Sequence, residues 1–332
     1  MEGSELARLV SHYSATVTLK RGKAEVLVLE RGGRILTLQY DGLNLLWVNP
    51  NIKLVLETGG WNTGGLRLWI SPERSFFYEK PAEFGGWFCP SGIDPAEFRL
   101  VKAGQESATV EGFFDVQDRV TGWRLCAYTR RDFYLLSENR LLIREALLAD
   151  YPGDFNPWAL AQVPPEGTVI VPVKKGASPV HYFGPIPEDR LKIAEDHVAF
   201  KIDAKRVCKL GIRPEDLPVE GSALIAYVSQ SDGKWTLIMK KTHDTPRTQA
   251  ECLDSARFDP KGPKGSVQSY NSGPEGGAEQ FGEIELQFKP AIDIGRRKIA
   301  IAEYEVIFTA GTAGEVLELL KKETGIKKPQ LF

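Results

Sequence analysis

Apolar and polar residues alternate with a period of two along most of this chain, and glycine-bearing turns break the alternation roughly every ten residues. Such a pattern puts successive side chains on opposite faces of extended strands and leaves little room for a fold built mainly on helices. Ala15 to Leu19, Ala24 to Glu30, Arg34 to Tyr40 and Asn44 to Val48 show it first, parted by Arg21-Gly22-Lys23, Arg31-Gly32-Gly33 and Asp41-Gly42. Glycine there supplies the positive φ that tight hairpins need. About seventeen such segments are read on this criterion, among them Lys53 to Glu57, Trp158 to Val163, Glu283 to Phe288 and Ile299 to Thr309. The fold class that follows is all-β, a large antiparallel β-sandwich.

One helix is expected, near the end of the chain. Thr312 and Glu315 have the spacing of a capping box, Val316, Leu317 and Leu320 make an apolar face, and Gly325 ends it. A short helix around Glu5 to Ser11 would be marginal by itself. The Pro- and Gly-rich stretch 259–265 separates strands of similar character, so it reads as a surface loop. Residues 1–332 are therefore expected to form a single domain, a sandwich over 12–310 followed by a helix over 311–325.

Charge and motif content narrow the function. The 42 Lys and Arg residues against 44 Asp and Glu give a net charge of −2 with no basic stripe, which argues against nucleic acid as a partner. No apolar run approaches the length of a membrane span. The segment Met1 to Arg8 lacks a basic and then apolar leader, and a cytoplasmic location is expected. Cys89, Cys126, Cys208 and Cys252 lie far apart, none of the four histidines sits at metal-ligand spacing with another, and the glycines of 59–65 lack the Lys-Ser/Thr ending of a phosphate loop. Neither a metal nor an organic cofactor is expected.

Gly64-Gly65-Leu66-Arg67-Leu68-Trp69-Ile70-Ser71-Pro72-Glu73 combines residue types that handle sugars. An indole covers the C–H face of a pyranose, while guanidinium and carboxylate reach its hydroxyls. The same residues also suit an internal Arg67–Glu73 ion pair beside a core tryptophan. Trp61, Phe76, Phe77, Tyr78, Phe84, Trp87 and Phe88 crowd the neighbouring positions, some of them necessarily core.

These strands, the Gly-Gly-x-Arg-x-Trp-x-x-Pro-Glu stretch, Leu136 to Glu145, Trp158 to Val163, Lys209-Leu210-Gly211-Ile212 and Glu285-Leu286-Gln287 resemble the galactose mutarotase (aldose 1-epimerase) superfamily, in particular its uncharacterised, non-epimerase branches. The resemblance implies a sandwich whose concave face holds a sugar. It also implies a glutamate base, matched here by Glu285, and a histidine that protonates the ring oxygen. At the histidine's place the chain offers Gln162, which can hydrogen-bond a sugar but cannot deliver a proton at neutral pH. His181 and His243 are the alternative acids, each with a structural role as its competing reading. Trp158 and Lys209 complete the expected binding set, and a buried Lys209 would need a carboxylate such as Glu285 or Glu73. Two functions follow: an enzyme acting on a carbohydrate (an epimerase-like isomerase, or a lyase or hydrolase of the same fold), or a non-catalytic saccharide-binding protein that has lost its acid.

Overall fold

The computed structural model describes residues 3–274 and 279–332. Among them two antiparallel sheets, of ten and eleven strands, stack into a sandwich beside a two-stranded hairpin, Tyr78–Lys80 with Gly85–Trp87. The first sheet runs in the order Thr16–Arg21, Ala24–Leu29, Arg34–Tyr40, Leu66–Ser71, Asn156–Val163, Gly282–Gln287, Val267–Asn271, Cys208–Ile212, Val180–His181. Sequence-distant segments are thus made neighbours at its centre. Leu160 lies opposite Arg67 on one side and opposite Glu285 on the other, and Tyr270 lies opposite both Glu283 and Lys209.

Strand pleating sorts these residues. Leu68, Ile70, Ala159, Ala161, Ile284 and Leu286 turn inward, where they join Phe133, Ile143, Ile238 and Tyr304 of the second sheet in one apolar cluster. Arg67, Trp69, Trp158, Glu283 and Glu285 occupy the alternate positions and face away from the second sheet. The core therefore backs the same strands whose other face carries the polar residues.

Four α-helices are present among the described residues, where the sequence suggested one. The expected helix, Ala313–Thr324, has its capping box and a left-handed Gly325 at its end, and it packs Val316 and Leu320 on the outer face of the second sheet. Gly3–Ser11 forms because it is not alone: Leu6 and Val10 bury against Ile52 and Leu56. Lys53 to Glu57 is not a strand but part of the helix Ile52–Glu57, since Ile52 and Leu56, four apart, make one buried face. The fourth is the single turn Glu73–Phe76. No helix among the described residues is long and apolar enough to cross a membrane.

Candidate functional site

A cleft of about 440 Å³ opens on the outward face of the first sheet. Its floor comes from the central strands and its rim from loops. Gly64 and Gly65 fix how the Leu66–Ser71 strand enters. Both have positive φ (96° and 85°), and a Cβ would sit 2.4 Å from the Trp47 carbonyl oxygen at the first and 2.2 Å from that of Ile35 at the second. Only glycine allows that approach.

From this strand Arg67 and Trp69 reach the cleft. Arg67 is 1% exposed; its Nη2 donates to Glu283 Oε1 at 2.5 Å and its Nε lies 3.8 Å from Asp94 Oδ2. The guanidinium is also held between two indoles, 4.9 Å from the ring centre of Trp61 and 4.4 Å from that of Trp69. Trp69 Nε1 donates to Asp94 Oδ2 at 3.0 Å, and Asp94 in turn pairs with Arg34. The Arg67–Glu73 ion pair allowed by the sequence does not form. Glu73 Oε1 accepts from Trp87 Nε1 at 3.0 Å instead.

Lys209, from Cys208–Ile212, lines the cleft and lies 3.0 Å from Glu285 Oε2, with its Nζ 4.6 Å from the Trp158 ring centre. Trp158 Nε1 donates to the same Glu285 oxygen at 3.0 Å. Glu285 is fully buried and is not among the lining residues, whereas Glu283 is. Burial raises the proton affinity of Glu285 above the usual glutamate range; Lys209 opposes the shift and Glu283 adds to it. Glu283 is raised too, by burial first, with Arg67 and Lys209 opposing. Burial would lower Lys209, but Glu285, Glu73, Asp254 and Glu283 together hold it above its ordinary value. Asp254 accepts from the backbone N–H of Glu73 at 2.6 Å and from Ser71 Oγ at 2.9 Å, and its own pKa is raised by burial and by Glu73.

Gln162 does not line the cleft but is fully buried in its wall, opposite Glu283 on the adjacent strand, where it hydrogen-bonds toward that carboxylate and its Nε2 donates to Asn62 Oδ1 at 3.0 Å; the two histidines lie elsewhere. Asn62 lines the cleft and donates to Glu279 Oε2 at 2.5 Å. His181 does not reach the cleft. It pairs with Leu210, one residue out of phase with Lys209, so the pleat turns it to the opposite face, where its Nδ1 accepts from the Ile186 N–H at 2.9 Å and burial lowers its pKa. His243 follows a strand of the second sheet and sits 2.8 Å from Ser222 Oγ, exposed. Glu283, named in the sequence only as the start of a strand, is the carboxylate of the central strands that lines the cleft. Trp61, Trp87, Phe183, Arg257, Tyr270 and Phe281 join the lining from loops and neighbouring strands.

Three groups in the wall keep unspent hydrogen-bonding capacity among the described residues: Arg67 Nε and Nη1, Gln162 Oε1 and Glu285 Oε1. No group of three or more His, Cys, Asp or Glu side chains able to hold a metal ion occurs among the described residues.

The model of a family of unknown function, DUF6786, matches residues 145–292, the stretch that carries Trp158, Lys209, Glu283 and Glu285. No curated protein matches the chain in sequence. Several solved structures match it in shape. A putative aldose 1-epimerase from Escherichia coli K12 superposes with a TM-score of 0.55 at 13% identity, covering 89% of this chain and 99% of that one. A putative aldose 1-epimerase from Klebsiella pneumoniae gives 0.51 at 16% identity, covering 92% and 85%. A galactose mutarotase-like protein from Lactobacillus casei gives 0.50 at 12%, covering 89% and 100%. At such identities the likeness is one of architecture, and it establishes that this chain has the galactose mutarotase-like β-sandwich fold.

Proposed function

We propose that the cleft binds a carbohydrate and that Glu283 is its proton acceptor. The observation that carries this reading is the Arg67–Glu283 pair presented between indole walls. Trp87 and the half-buried Trp61 offer apolar indole surface for the C–H face of a sugar ring, and the ion pairs beside them offer donors and acceptors for its hydroxyls. Burial raises the pKa of the Glu283 carboxyl above the ordinary glutamate range, the direction that makes a carboxylate a stronger base toward a sugar hydroxyl. Lys209 and Arg67 would steady negative charge that develops on the sugar oxygen. Glu285, beneath Trp158, would act by fixing the charge and position of Lys209 rather than by touching the sugar.

A second reading, a saccharide-binding protein without turnover, is favoured by the placement of both candidate acid histidines away from the cleft. The lining carboxylates also have partners already: Glu73 with Trp87, Glu279 with Asn49 and Asn62, Glu283 with Arg67. Tryptophan fluorescence and thermal-shift titrations with a panel of mono- and oligosaccharides test binding, and NMR observation of anomer exchange tests turnover. Binding with exchange supports the enzyme, binding without exchange supports the second reading, and no response to any saccharide rejects both.

A further inference from the structure

Lys240 lies fully buried between the two sheets, on the second-sheet strand Lys234–Thr242. Its ammonium donates to the backbone carbonyl of Ala159 at 2.6 Å and to that of Ile284 at 3.2 Å. Those carbonyls belong to the two adjacent strands that carry Trp158 and the Glu283–Glu285 pair on their other face. One peptide bond joins the Ile284 carbonyl to the nitrogen of Glu285. A cation thus rests against the back of the site, one sheet's thickness from its carboxylates.

Lys240 makes no ion pair among the described residues. The charged and titratable groups that face it are few. Glu145 and Arg131, from Arg140–Ala149 and Arg124–Ser137, are paired with each other at 2.6 Å. Tyr304, from Arg297–Gly311, has its ring centre 5.6 Å from Nζ and its hydroxyl on Glu145. Across the first sheet are Glu283 and Glu285. Burial lowers the pKa of Lys240 to about 7, against the opposing pull of Glu145, Glu285 and Glu283, while Arg131 adds to the lowering.

We propose that Lys240 is a positioning residue whose buried charge, set against the carbonyls of Ala159 and Ile284, controls how readily Glu283 and Glu285 take up a proton on the opposite face. Charges separated by apolar protein act on each other far more strongly than charges in water. With Lys240 charged, the carboxylates are favoured. When the carboxyl pair gains a proton, the ammonium loses the attraction that offsets its burial and releases its own proton more easily. The functional consequence rests on the reading of Glu283 as the cleft's proton acceptor, but the coupling itself requires no ligand.

The test uses the full chain without any sugar. Infrared difference spectra across pH follow the protonated-carboxyl stretch, with Glu283→Gln and Glu285→Gln assigning the bands. Lys240→Met is expected to raise the midpoint at which those bands vanish by about one pH unit, a tenfold gain in proton affinity. Lys240→Gln keeps an amide donor toward the carbonyls but no charge, so a purely structural role predicts a wild-type midpoint, whereas the proposal predicts the same rise as in Lys240→Met. An unmoved midpoint in either variant, if folded, overturns the proposal. A second measurement covers the case in which neither folds: carbon NMR of lysine Cε groups is expected to show the buried Lys240 titrating lower in Glu285→Gln and Glu283→Gln than in the wild type, and lysine midpoints that do not move in either variant overturn the proposal. Failure to bind any saccharide would reject the proposed function while leaving these midpoints where they are.

Discussion

Lys209 and Glu285 meet at 3.0 Å between Nζ and Oε2, and the Trp158 indole donates to the same carboxylate oxygen. Two strands, Gly282–Gln287 and Cys208–Ile212, bring the partners together across the intervening Val267–Asn271, with Glu285 fully buried and Lys209 nearly so. Buried pairs of this kind add little net stability when intact and cost much when one member is removed.

Lys209→Met is therefore expected to destabilise the fold by about 3–5 kcal/mol, because it strands the Glu285 carboxylate. Lys209→Met combined with Glu285→Gln removes both charges and should recover a clear part of that loss. Urea unfolding of the two single variants and the double variant measures the coupling, and strictly additive losses would contradict it.

On any sugar the wild type converts, Glu283→Gln should lower the rate by about a hundred- to ten-thousand-fold, the usual cost of losing a general base. His243→Ala should leave the rate within about twofold, a surface change away from the cleft. Anomer-exchange rates on both variants decide the matter. A large loss confined to His243→Ala would move the chemistry to the second sheet.

Glu285 has a folded-state pKa raised above its ordinary value of 4.5, chiefly by burial. Its contribution to stability is thus fully present below the unfolded-state pKa and is lost as pH rises through the folded-state one. Relative to Glu285→Gln, the wild type should lose melting temperature steadily from the ordinary glutamate range up to neutrality. Thermal unfolding of both proteins across that window tests the sign. A difference that stays flat, or that turns in favour of the wild type as pH rises, contradicts the shift.

Gly65→Ala should destabilise the chain by about 2–4 kcal/mol, since a left-handed backbone and a carbonyl contact oppose the added methyl together. Gly42 has a similar φ of 79° with nothing within 4 Å of an added Cβ, so Gly42→Ala should show the backbone strain alone, about 1 kcal/mol. Calorimetric melting of the pair separates crowding from strain.

Alternation made the sandwich readable, and it misled where burial was two-sided or brief. Leu66–Ser71 stands at the centre of the first sheet with all six residues buried, yet its arginine, tryptophan and serine sit where a half-exposed strand would show solvent-facing residues, so it read as a ligand motif rather than a strand. Ile52–Glu57 alternates well enough to pass for a strand; only the contact of Ile52 and Leu56 with the first helix reveals its period. In the site, the need of Lys209 for a carboxylate followed from burial alone. The choice of Glu283 over Glu73 as partner of Arg67 did not, because it depends on Asn156–Val163 pairing with both of their strands and so bringing together two residues more than two hundred positions apart. The rim residues Phe183 and Arg257 gave no periodic signal, being fixed by loops and by each other, with the guanidinium 3.9 Å from the Phe183 ring centre.

The division between a floor of paired central strands and a rim of loops and one small hairpin separates two kinds of change. Substituting a floor residue disturbs the core cluster and the buried ion pairs at once, so the reactive groups are tied to the survival of the fold. Substituting Trp87 on the hairpin Tyr78–Lys80 with Gly85–Trp87, or Phe183 and Arg257 beyond it, alters what the cleft admits while the strands beneath keep their register. On the proposed carbohydrate reading, changes to the rim would alter which sugar is admitted without reworking the strands below.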